Sequence, residues 1–273
     1  MRIQITDSLD EPTAYQVRSL YAGRGLPAPA ELSEQTPDTF YALYYIEETP
    51  VSFLMAFCPG NDLCEICGLT RADHERQGFF SALLEAAAVK IKGRQCGQIR
   101  LCFPADSSSG AAFAEKNGLR LVHTEYELAL SAGSFKGCAG NAKVTARRVR
   151  LKRCRRWRAK RLAAAIFGPD QPVFTESGCG MSGSYIIKYG LRTAGIMNIL
   201  MQDENSACCL YGFGILPGLR RRGIARAALK ELTAMLPPGA CITLTVSGEN
   251  IPALNLYRSS GFSDIFSVSF YGK

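Results

Sequence analysis

ILPGLRRRGIARAALKE, residues 215–231, joins a strand to a helix through a basic glycine turn. The apolar run ending at Ile215 breaks at Pro217 and Gly218, passes Arg220, Arg221 and Arg222, and becomes a strong helix former after Gly223. The first N–H groups of a helix lack intrahelical partners and its dipole favours negative charge there, so such a turn suits a phosphate. Gly223 puts no Cβ between backbone and ligand, Ala225 keeps the next inward position small, and the arginines supply cations.

Downstream, Asn250-Ile-Pro-Ala253-Leu-Asn-Leu256-Tyr257-Arg-Ser-Ser-Gly261-Phe262 follows an alternating strand pattern at Cys241 to Ser247. It places apolar residues at Ala253, Leu254, Leu256 and Tyr257 and a helix stop at Gly261. Arg220-x-x-Gly223-x-Ala225 resembles the R/Q-x-x-G-x-G/A pyrophosphate loop of the GNAT superfamily of acyl-CoA-dependent N-acetyltransferases. The second stretch resembles the N-x-x-A-x-x-L-Y-x-x-x-G-F segment that closes that family's cofactor cleft.

The resemblance implies an α/β (α+β) fold with a mixed, mostly antiparallel sheet flanked by helices. It also implies transfer of an acetyl group from acetyl-CoA to a primary amine by direct attack, without a covalent enzyme intermediate. Ile215 would then offer backbone groups to the pantetheine arm. Arg220, Arg221, Arg222, Gly223, Ile224, Ala225 and Arg226 would line the pyrophosphate, Asn250 would meet the pantetheine amides, and Tyr257 would protonate the leaving thiolate. The residues alone leave Tyr257 readable as a packed aromatic and Arg220–Arg226 as a solvated helix start. No general base is apparent: Asp203, Glu204 and Glu249 are candidates, and Glu65 sits on the equivalent earlier strand.

The same order of strand, turn and helix occurs once before. Aligning Gly78 with Gly223 sets Thr70 against Ile215, Arg76 against Arg221, Phe79 against Ile224 and Leu84 against Leu229, and Gly118-Leu119 falls where Gly261-Phe262 falls. Internal duplication predicts two tandem GNAT-like domains, 1–133 and 142–273, joined by a linker at 134–141. The first copy departs from the pattern. It has Glu75 and Phe80 in the loop, and Ser107 and Ala114 in place of Asn250 and Tyr257. Catalysis is therefore expected in the second copy alone. Strands are expected at 2–6, 40–47, 51–58, 63–69, 98–103, 142–152, 184–189, 193–200, 207–215 and 241–247, with a strand pair from Phe262 to Tyr271.

Hydrophobic residues at 47% and charged residues at 21% describe a globular chain. No run is apolar enough to span a bilayer and the start lacks a leader's apolar core, so the cytoplasm is expected. The eleven cysteines are scattered through strand-like runs, which suits reduced thiols. Cys64-x-x-Cys67 has no second pair, its thiols would face opposite sides of a strand, and no metal is expected.

The net charge of +8 is concentrated in Arg147–Arg161, RRVRLKRCRRWRAKR, without which the rest would be slightly acidic. The expectation is a solvated strand and helix face whose Val149, Leu151, Cys154 and Trp157 dock on a core. An RNA- or ribosome-docking segment is the alternative. The acceptor is read as a small-molecule or peptide amine. A non-catalytic acetyl-CoA sensor is the other reading.

Overall fold

The computed structural model describes residues 1–29, 32, 36–60, 62–137, 149–168, 181–202 and 206–273. It divides into two compact units, one of Met1–Thr124 with Val268–Lys273, the other of Glu125–Ser267.

In unit 1, β1 (Arg2–Thr6) leads into α1 (Glu11–Ala22), β2 (Thr39–Ile46), β3 (Thr49–Phe57) and β4 (Leu63–Thr70). Then come α2 (Phe79–Gly93), β5 (Gln98–Pro104) and α3 (Ser108–Lys116). Asp10 starts α1 by accepting the Thr13 N–H at 2.9 Å, and Pro12 occupies its first turn, where no N–H is needed. The sheet is antiparallel except for the parallel pair β4/β5. Its sixth strand is the end of β12 (Ser263–Gly272), paired antiparallel with β5 from Val268↔Pro104 to Tyr271↔Leu101.

Unit 2 repeats the plan with β7 (Val149–Arg153), α4 (Arg156–Phe167), β8 (Gly183–Tyr189), β9 (Arg192–Gln202) and β10 (Ala207–Ile215). After these follow α5 (Ile224–Met235), β11 (Cys241–Ser247) and α6 (Ile251–Ser259). With β6 at Arg120–Ser131, strand order runs β6, β11, β10, β9, β8, β7, and only β10/β11 is parallel. β6 closes the first repeat in sequence, yet from Glu125 onward it pairs with β11. Ile224, Ala227, Ala228 and Leu232, one stripe of α5, bury against Leu210, Ile242 and Leu244 of the sheet.

Two expectations change. The end of the chain is one strand, β12, where a strand pair was expected, because no glycine or proline interrupts residues 262–271 once Gly261 has ended α6. Trp157 is 62% exposed and does not dock on a core; Val149 is buried, and Cys154 and Leu151 are partly so. β6 was not anticipated as a strand, although Tyr126, Leu128 and Leu130 alternate with polar residues as a half-buried strand should. Residues 138–141 of the expected linker and 142–148 of the expected strand lie outside the described residues. No helix among the described residues is long and apolar enough to cross a membrane.

Candidate active site

The two parallel strands of unit 2 part early. β10 and β11 pair only from Ala207↔Cys241 to Cys209↔Thr243, although they run on to Ile215 and Ser247. Their facing edges beyond Thr243 form a fork at the carboxyl ends of parallel strands, the usual position of ligands in such sheets. On its other side β10 carries a bulge: its register with β9 shifts by one residue between Tyr211↔Asn198 and Gly214↔Ile196. Gly212 makes this bend with φ +52°, and a Cβ there would lie 2.5 Å from Asn198 Nδ2. A bulge re-aims the strand's peptide groups, here at the mouth of the fork.

Both segments singled out in the sequence lead away from this mouth. After β10, a 3₁₀ turn at Pro217–Leu219 is followed by Arg221 with φ +59° and Gly223 with φ +73°, and α5 begins. Left-handed backbone at these two positions gathers successive N–H groups at the helix start, where an anion can be held. Among the described residues, no backbone carbonyl accepts from the N–H of Arg221, Arg222, Gly223, Ile224 or Ala225, and Ala227 is the first helical donor, to Gly223 O at 3.1 Å. Gly223 and the two arginines before it are exposed.

The arginines divide their tasks. Arg220 donates from Nε to Ile215 O at 3.0 Å and from Nη2 to Ile166 O at 3.4 Å, bracing the loop against β10 and the end of α4. The Ile215 carbonyl is thus held within the protein. Arg221 and Arg222 are exposed, and Arg226 donates to Ser259 Oγ on α6.

Asn250 caps α6 by accepting the Ala253 N–H at 3.3 Å. Two turns on, Tyr257 is 7% exposed, its ring 6.4 Å from that of Phe213 in the bulge and 5.4 Å from that of Phe262. No hydrogen-bond partner of its hydroxyl is found among the described residues, and burial raises the phenol's pKa well above the ordinary tyrosine value. The group keeps its proton throughout the neutral and mildly alkaline range.

Of the carboxylates named as candidate bases in unit 2, Glu249 alone lies among the described residues. Asp203 and Glu204 lie outside the described residues, and Glu249 is exposed at the end of β11. The register of β6 on β11 sets Glu127 opposite Thr245 and Glu125 opposite Ser247, on the face of β11 that also carries Thr243. Glu127 is close enough to Cys209 that its charge helps raise that thiol's pKa, with burial the larger cause. Sequence reading missed these groups because alternation identifies a strand without naming its neighbour.

Cys64 is buried in one core cluster of unit 1, whereas Cys67 packs partly against another.

Residues 152–262 match the model of the Acetyltransferase (GNAT) family. The whole chain superposes on a GCN5-related N-acetyltransferase of Sphaerobacter thermophilus with TM-score 0.75 at 15% identity, covering 99% of this chain and 95% of that one. A tandem GNAT protein from the clavulanic acid biosynthesis pathway gives TM-score 0.66 at 13% identity, covering 100% and 98%. A GCN5-related N-acetyltransferase of Kribbella flavida gives 0.52 at 15%, covering 81% and 86%. These similarities establish a tandem GNAT fold. No curated protein matches the sequence.

Proposed function

We propose, starting from the GNAT-family domain at residues 152–262, that unit 2 transfers an acetyl group from acetyl-CoA to a primary amine by direct attack. The observation that carries this is one arrangement: a strand fork, an anion-holding turn beside it, and a buried phenol without a partner among the described residues. These residues fit the cosubstrate. The N–H groups of Arg221–Ala225 would hold a pyrophosphate, and the open edge of β10 would pair with the amides of a pantetheine arm laid between the strands.

Acetyl-CoA supplies an activated acyl group, which needs no nucleophile from the protein. Unit 2 has to align the amine, exclude water and manage two protons. Tyr257 holds one of them at its Oη, kept neutral by burial and ready for a departing thiolate. Glu127 is our choice for removing the other from the amine, directly or through water, since it faces the fork from β6 and makes no ion pair among the described residues. Glu127→Gln should then slow transfer about 10-fold or more; an unaltered rate would return the role to solvent.

Calorimetry with acetyl-CoA, followed by an amine screen for thiol release, tests the whole reading. One site per chain with turnover on an amine is expected. Tight binding without turnover on any amine would make the protein a sensor of acetyl-CoA.

A further inference from the structure

The strongly basic segment is not absorbed by acyl transfer. In unit 2 the end of β7, the first turn of α4 and β8 enclose a surface cavity of about 560 Å³. Lys152, Arg153, Arg155, Arg158 and Lys188 line it together with the exposed Trp157, and no acidic residue does so among the described residues. Like charges are also set directly across the strand pair, Arg150 opposite Lys188, an arrangement that destabilises a sheet. Among the described residues no carboxylate pairs with Lys152, Arg155 or Arg158. Their mutual repulsion acts within a Debye length of about 8 Å, and an anion from outside would offset it.

Unit 1 is an internal control for this position. There Asp10 caps α1, Glu11 pairs with Arg18 at 2.8 Å, and Pro12 fills the first turn. The equivalent residues of α4 are Arg155, which makes no side-chain cap, then Arg156 and Trp157. The fold therefore requires neither the cations nor the indole. Trp157, the chain's one tryptophan, leaves 62% of its surface in water next to those cations. Cations alone suit any polyanion, whereas a flat aromatic among them suits one whose repeating units also present π-faces.

We propose that this groove binds single-stranded nucleic acid, with a base stacked on Trp157 and successive phosphates held by Lys152, Arg155, Arg158 and Lys188. The spread of these cations over two strands and a helix turn matches a chain of phosphates better than a single nucleotide. The binding is independent of the acyl-transfer site.

Trp157 is its own reporter. The full chain is titrated with an oligouridylate of about fifteen nucleotides while tryptophan emission is followed, and a labelled oligomer gives affinities by anisotropy. Stacking should quench the emission. With four phosphates neutralised, affinity should fall roughly 50-fold between about 50 and about 200 mM salt. Trp157→Ala should weaken binding about 10-fold without changing the salt slope, and Arg155→Glu with Arg158→Glu should weaken it on the order of 100-fold. These exposed substitutions should leave the far-UV circular dichroism unchanged and the melting temperature no lower, the charge reversals raising it by relieving repulsion, so that lost binding is not lost fold. Absence of quenching, or an anisotropy affinity indifferent to Trp157→Ala, would overturn the proposal. So would equal affinity for polyglutamate, which would reassign the groove to an acidic protein surface.

Discussion

The two units build the same turn on nearly the same backbone and differ in what surrounds it. Each has a 3₁₀ turn, at Ala72–His74 or Pro217–Leu219, then a left-handed arginine, Arg76 at φ +61° or Arg221 at φ +59°. A left-handed glycine and a helix follow, from Phe79 or Ile224. The strands beside the turn do not match. In unit 1, β4 and β5 remain paired through Cys67↔Cys102, five residue pairs against three in unit 2, and β3/β4 keeps one register throughout. The ring of Phe80 lies on Gly68 and packs edge-on against Phe103 and Phe113, at 6.2 and 5.3 Å between centroids. The backbone shape of the turn alone therefore does not distinguish the units; the unzipped, bulged strand beside it does.

The largest expected effect separates the turns. Gly223→Glu adds a carboxylate inside the anion concavity at a φ that L-residues rarely adopt, so acetyl-CoA affinity should fall on the order of 1000-fold. Gly78→Glu should leave affinity unchanged. The reverse pattern in calorimetry would move the site to unit 1.

Next comes Tyr257, whose place in unit 1 is taken by the fully buried Ala114. Tyr257→Phe should lower turnover about 100-fold while acetyl-CoA affinity hardly moves, since the hydroxyl is needed only as the thioester breaks. Stability should go the other way. Removing a buried hydroxyl that lacks a partner among the described residues is neutral or stabilising, by up to about 1 kcal/mol. A pH series sharpens this. Burial raises the folded-state pKa, so the folded chain keeps a proton that the unfolded chain loses above about pH 10, and stability drains away as pH rises past that point. The Phe variant should lack this contribution to the alkaline loss. Unchanged turnover would remove Tyr257 from the chemistry.

How much of this was legible in the sequence depends on which interactions are local. Arg221, Gly223 and Ala225 could be read because a glycine turn entering a helix is a short-range device, and Asn250 because capping spans three residues. Phe80 could be read as obstructive from its type alone. The fork and the bulge could not, since both depend on where β10 stops pairing with β11 and slips against β9, and no residue announces that except Gly212 in retrospect. Glu127 was hidden for the same reason: its strand belongs to the first repeat in sequence and to unit 2 in space. Arg220 shows the opposite case, a residue named from its type whose side chain is turned to the Ile215 and Ile166 carbonyls.

A smaller effect is expected from moving the obstruction across. Ala225→Phe places in unit 2 the ring that fills unit 1, and should weaken acetyl-CoA binding about 10-fold. Forcing a ring into a partly buried position costs about 1–3 kcal/mol, which binding or folding must absorb. Retention of full affinity would show that Phe80 is ordinary packing.

The smallest effect should come from trying to restore unit 1. Glu75 stands where unit 2 has Arg220 and pairs with Arg24 at 2.5 Å, both side chains about one-third exposed. Exposed pairs of this kind contribute about 0–1 kcal/mol, so Glu75→Arg should barely alter the melting temperature. Adding Phe80→Ala removes the ring over Gly68 at a cost of about 3 kcal/mol, part of the aromatic packing with Phe103 and Phe113. Charge and space at the turn would then resemble those of unit 2. The double variant should still bind acetyl-CoA at one site per chain, because β4 and β5 remain zipped to Cys67↔Cys102 and β4 has no bulge to turn its peptide groups outward. A second calorimetric site would show that side chains alone had silenced unit 1, and that the strand geometry follows from their removal.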